Sequence, residues 1–149
     1  MLLNVVSDEQ LLTSQIVKTI LLLILAVGII FNFIRMLRVA SARKRTVNFI
    51  IFIILSFILS IVLRQYRIEA ALLKSPIYVP GTTTGYCNVF AEGEGIEFKY
   101  EMDGRKFQLC NTFHPINKDS IKVPGGKYLV RVSRNFPKQG RMDFQKKID

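Results

Sequence analysis

A single histidine, only two cysteines and no acidic residue across two long apolar runs set the first limits on this chain of 149 residues. His114 precedes Pro115 and reads as a turn residue, and a nucleophile–histidine–acid triad has no other imidazole to draw on. Cys87, Cys110 and His114 would offer a metal three ligands without strict spacing, where a structural zinc site takes four. Neither a phosphate-binding glycine loop nor a dinucleotide fingerprint is present, since the glycines sit at turns. Glu92, Glu94, Glu97 and Glu101 fall in a turn or on a strand surface, and nothing builds the cleft that a paired-carboxylate mechanism needs. The sequence therefore predicts no catalytic residue, no metal site and no cofactor.

What is present is a pair of apolar runs, Ile16–Ile34 and Thr46–Leu63. As helices they would extend roughly 27–29 Å, enough to cross a bilayer core. The expected architecture is a transmembrane helical hairpin (residues 1–74, helices about 8–37 and 46–74, spans 16–34 and 46–63). A linker (75–81) and a small all-β domain (82–149) follow. Ser7 and Gln10 fit a capping box, Asp8 and Glu9 suit the first turn of a helix, and Val6 is placed to staple onto Leu11. A cleavable signal peptide would carry positive charge before its apolar run; here the bases come after it, so an uncleaved helix is expected.

Arg35, Arg38, Arg43, Lys44 and Arg45 lie between the runs without an acid, and Lys18, Arg64, Arg67 and Lys74 lie on the opposite flanks. Positive-inside counting puts the loop in the cytoplasm by one charge, and both termini outside. Lys18, Arg64 and Arg67 join the five loop bases as candidate lipid contacts, with Lys18 snorkelling to the headgroups. Gly28, Ser56 and Ser60 mark faces where helices can approach closely. With the hairpin centred on Ala40, Asn32 and Asn48 lie at one depth, where each carboxamide can pair with the other or be hydrated near the headgroups.

After Pro76 the texture becomes β. Thr82–Phe90 is rich in β-branched and aromatic residues, with a bulge expected at Gly85. Glu92-Gly93-Glu94-Gly95 reads as a turn. Ile96–Met102 alternates apolar with charged residues, and Asp103-Gly104 is a two-residue hairpin turn returning through Arg105–Cys110. Lys127–Ser133 alternates again, with Tyr128, Val130 and Val132 inward. Asn135–Gly140 turns the chain into a last strand holding Met142 and Phe144. Five or six short strands imply a small barrel or sandwich. On this register Glu97 faces Cys110 while Cys87 faces Tyr100, which puts the cysteines on opposite faces and argues against a disulfide. Only an irregularity between Phe90 and Ile96 would bring them together.

The charge of +10 is uneven, with eleven bases against three acids after Asp103. Such a surface suits anionic lipid or an acidic protein. Aromatics interleave with bases (Phe98-Lys99-Tyr100, Arg105-Lys106-Phe107), but alternation sends them to opposite faces, so nucleic-acid binding is not expected. The run Tyr100–Phe107, then Gly126–Ser133, then Asn135-Phe136-Pro137-Lys138-Gln139-Gly140, resembles the soluble part of a family of small bacterial two-helix membrane proteins without an assigned activity. The chain departs from that pattern where Phe136 separates Asn135 from Pro137 and where Gly140 takes a serine position. The resemblance implies a bacterial envelope protein and transfers no site residue. The leading expectation is a non-enzymatic inner-membrane protein whose β domain, facing the periplasm or cell exterior, contacts another envelope component or a second copy. The alternative is an immunity protein against a membrane-acting toxin.

Overall fold

The computed structural model describes residues 7–90 and 92–148, and the Val6–Leu11 staple lies outside them. Two long helices are followed by a five-stranded antiparallel sheet curled into a half-barrel. The chain divides into two compact units: residues 12–70, and residues from 71 onward together with those up to Leu11.

Helix α1 covers Asp8–Arg38 and α2 covers Ala42–Lys74. Ser7 starts α1 as expected, its Oγ accepting from the Gln10 amide at 3.3 Å. The chain reverses over only three residues, 39–41, so Arg43, Lys44 and Arg45 are helical and not in the loop. Both helices are long and apolar enough to cross a membrane, and only 6% of the most apolar stretch of either is buried within the molecule. A core helix of a water-soluble domain would be covered over most of that length; this apolar surface matches a lipid solvent.

Within residues 12–70 the shielded positions follow a helix-pairing seam. Gln15, Lys18, Leu22, Leu25, Ile29, Asn32 and Met36 on α1, and Asn48, Phe52, Leu55, Leu59, Val62, Tyr66 and Glu69 on α2, alternate three and four residues apart. That is the period of left-handed helix pairs. Phe33 and Phe52 meet with ring centroids 5.9 Å apart, and a Cβ added at Gly28 would sit 4.0 Å from Leu55.

The strands are β1 (Ile77–Val89), β2 (Gly93–Met102), β3 (Arg105–Asn111), β4 (Lys127–Ser133) and β5 (Phe136–Lys147), in the order β3-β2-β1-β4-β5. The stretch expected as a linker is thus the start of β1, which pairs with β4 over Ile77–Thr82 and with β2 over Gly81–Val89. The expected bulge occurs, with Thr83 opposite Phe98 and Gly85 opposite Glu97. Asp103 (φ 50°) and Gly104 (φ 73°) form the predicted two-residue turn. Two other turns move. Gly93–Gly95 belongs to β2, so the β1–β2 connection is residues 90–92, and the β4–β5 turn is Arg134-Asn135, not 135–140.

Inside the half-barrel lie Ile96, Phe98, Tyr100, Met102, Ile121, Tyr128, Val130, Val132, Met142 and Phe144. Side chains draw its two edges together. Asn111 Nδ2 on β3 donates to the Met142 carbonyl on β5 at 3.1 Å. The Tyr100 hydroxyl donates to the Pro137 carbonyl and accepts from the Gly140 amide at 3.2 Å.

Candidate functional site

The β unit holds buried cations that alternation alone would place in water, Arg131 on β4 and Arg141 opposite it on β5. Arg131 sits between the inward Val130 and Val132 on β4, yet its side chain is only 3% exposed. Its Nε and Nη2 both donate to the Leu72 carbonyl, at 3.0 and 2.8 Å, and its Nη1 lies 2.6 Å from Asp8 Oδ1. Leu72 belongs to the last turn of α2, where carbonyls lack helical partners and the dipole is negative. The guanidinium therefore caps one helix end and pairs with the first turn of the other. Tyr78, opposite Arg131 across the ladder, packs its ring 4.8 Å from Lys146 Nζ and 5.9 Å from the guanidinium carbon.

Cys87 and Cys110 are joined in a disulfide with Cα atoms 6.0 Å apart, which overturns the register argument against it. Cys87 lies opposite Gly95, and Cys110 opposite Glu97. Gly95 and Glu97 are two apart on β2, so the cysteines share a face. The mistaken pairing came from reading Gly93–Gly95 as a turn, which shifted the register by an odd number of residues and flipped the side chain. Gly95 leaves room for the bridge, since a Cβ there would stand 2.9 Å from Cys110 Sγ. With both sulfurs bonded, neither can act as a thiolate ligand or nucleophile. Beside the bridge, Gln108 Nε2 and the Thr84 hydroxyl (2.8 Å) donate to the Glu97 carboxylate. These two bonds, the glutamine's first, hold its pKa below the ordinary value of 4.5.

In the hairpin, Lys18 does not snorkel. Its Nζ lies 2.5 Å from Glu69 Oε2 and 2.9 Å from Ser14 Oγ, with Lys18 only 13% and Glu69 1% exposed. A glutamate on the pairing seam is the reason: burying it calls for a cation. Arg64 and Arg67 remain exposed. Among the described residues no hydrogen bond joins Asn32 to Asn48, and Asn32 Oδ1 is buried without a partner. The Lys18–Glu69, Gly28–Leu55 and Phe33–Phe52 contacts centre the hairpin near residues 42–43, not on Ala40. The two asparagines are thus offset by roughly 7 Å along the axis. Ser56 is half-buried, while Ser60 is exposed and donates to its own helix at the Phe57 carbonyl, 2.7 Å away.

At the hairpin tip a cavity of about 500 Å³ is lined by Arg35, Val39, Arg43, Lys44, Val47, Asn48 and Ile51. Arg38 and Arg45 are exposed outside it. A second depression, about 570 Å³, lies on β1–β3 among Pro80, Thr82, Lys99, Tyr100, Glu101, Lys106, Phe107 and Gln108. Its walls mix bases with one acid and hold no serine, cysteine or histidine. Among the described residues no group of three or more histidine, cysteine, aspartate or glutamate side chains could hold a metal ion. No family model, no curated protein and no solved structure matches the chain.

Proposed function

We propose that the chain is a non-enzymatic integral membrane protein of the bacterial inner membrane that presents a basic β domain outside the cytoplasm. There the domain contacts another envelope component or a second copy of the chain. The observation that carries this reading is the Cys87–Cys110 disulfide. Such bridges form and persist in oxidising compartments and are rare in the cytosol. Positive-inside counting reaches the same side independently, because it puts the Arg35–Arg45 segment in the cytoplasm and the chain after Lys74 across the membrane. The basic terminal third supports an acidic partner or an anionic surface.

A cysteine placed at exposed Lys138 tests the orientation with a membrane-impermeant thiol reagent on cells whose outer membrane is permeabilised. Labelling of intact cells is expected; labelling only after the inner membrane is broken would reverse the topology. Purification in mild detergent tests the partner, where a stoichiometric second component or a homo-oligomer is expected. A folded monomer that brings down nothing would overturn the interaction role.

A further inference from the structure

We propose that the cavity at the hairpin tip binds the headgroup of an anionic phospholipid. Three cations, Arg35, Arg43 and Lys44, line it. Asn48, only 8% exposed, adds a carboxamide donor. Val47 and Ile51 add apolar wall beside these polar groups. That combination fits a phosphodiester carrying net negative charge and attached to hydrocarbon.

The electrostatics of the tip demand an anion. Arg43, Lys44 and Arg45 occupy the start of α2, whose first turn contains no acid. A helix N-terminus already carries partial positive charge, so three cations there repel both it and one another. Among the described residues none of the five tip bases has an ion-pair partner, whereas Lys18, Lys118, Arg131 and Lys146 all do. Phosphate oxygens would neutralise the bases and accept from the α2 amides. Arginine suits this task by its planar fork, which meets two phosphate oxygens at once.

The test uses the full chain in detergent, where membrane orientation plays no part, and counts lipids retained by native mass spectrometry after exchange. One phosphatidylglycerol per chain is expected, preferred at least tenfold over phosphatidylcholine. Arg35→Gln/Arg43→Gln should weaken this by at least tenfold, since each base near an anionic headgroup contributes on the order of a fivefold factor. Arg38→Gln/Arg45→Gln removes the same charge outside the cavity and should change it less than threefold. Asn48→Leu keeps every charge and should lower retention about fivefold through its lost hydrogen bond. Equal retention of the two lipids by the unaltered chain would overturn the proposal. So would equal loss in the two arginine pairs, which means diffuse attraction, or displacement of the lipid by millimolar glycerol phosphate, which means a site for a free phosphate ester.

Discussion

Tyr100 carries more of the β unit's geometry than its place in an alternating strand suggests. Its ring is buried and stacks with Phe98 and Phe107 at centroid distances of 6.0 and 5.4 Å. Its hydroxyl serves backbone groups of Pro137 and Gly140 on the far strand, and Gly140 is the residue that fits, because a Cβ there would stand 2.6 Å from the hydroxyl oxygen. Tyr100→Phe leaves both backbone groups without this partner and should cost about 1–2 kcal/mol in denaturant unfolding. Burial also holds the hydroxyl's pKa above its ordinary value of 10.0. The folded state then keeps the proton longer than the unfolded chain does. The resulting stability is fully present below pH 10.0 and is lost as pH rises through the folded value. Unfolding midpoints from pH 9 to about 12 should fall more steeply for the unaltered chain than for Tyr100→Phe. Parallel curves would show that the hydroxyl does not report on folding.

Among the elements, β2 is where local signals and tertiary structure part company. The bridge across it closes a loop with a sequence separation of 23. In the chain-entropy account that contributes about 3 kcal/mol, so Cys87→Ser/Cys110→Ser should lower stability by about that amount. Gly95→Ala should act on the same bond by a different route. Its new Cβ would crowd Cys110 Sγ and the Asn111 carbonyl, leaving free thiols that alkylation of the unreduced protein would count. A fully oxidised Gly95→Ala protein would refute this role for the glycine. Gly95 also explains what could be read beforehand. The Asp103-Gly104 hairpin was legible because its turn type is set by two adjacent residues, and the alternation of Ile96–Met102 because burial of one face imposes it. Gly93 and Gly95 advertise a turn, but the second is a strand residue kept small by a sulfur from another strand. The hairpin's apolar lengths were legible for the same local reason. Its centre near residues 42–43 was not, since it depends on how side chains from two helices interlock, including a buried Lys18–Glu69 pair.

For the molecule as a whole, Arg131 joins the ends of the hairpin helices to the sheet, and no sequence pattern announced it. Arg131→Met would leave the Leu72 carbonyl without its capping donor, and about 2–3 kcal/mol of stability should go with a charged, buried hydrogen-bond donor. Asp8→Asn should cost under about 1 kcal/mol, because that carboxylate is 73% exposed and solvent replaces the pair. Thermal unfolding in detergent would rank them, and equal losses would move the weight of the clamp from the carbonyl to the ion pair. The strand order has a mechanical consequence of its own. β1 follows α2 after only Ser75 and Pro76, and it is the central strand, bonded to β4 along its first half and to β2 along its second. A pull that reaches the sheet through α2 therefore enters it at the central strand and not at an edge. That strand is held by two antiparallel ladders, whereas an edge strand is held by one.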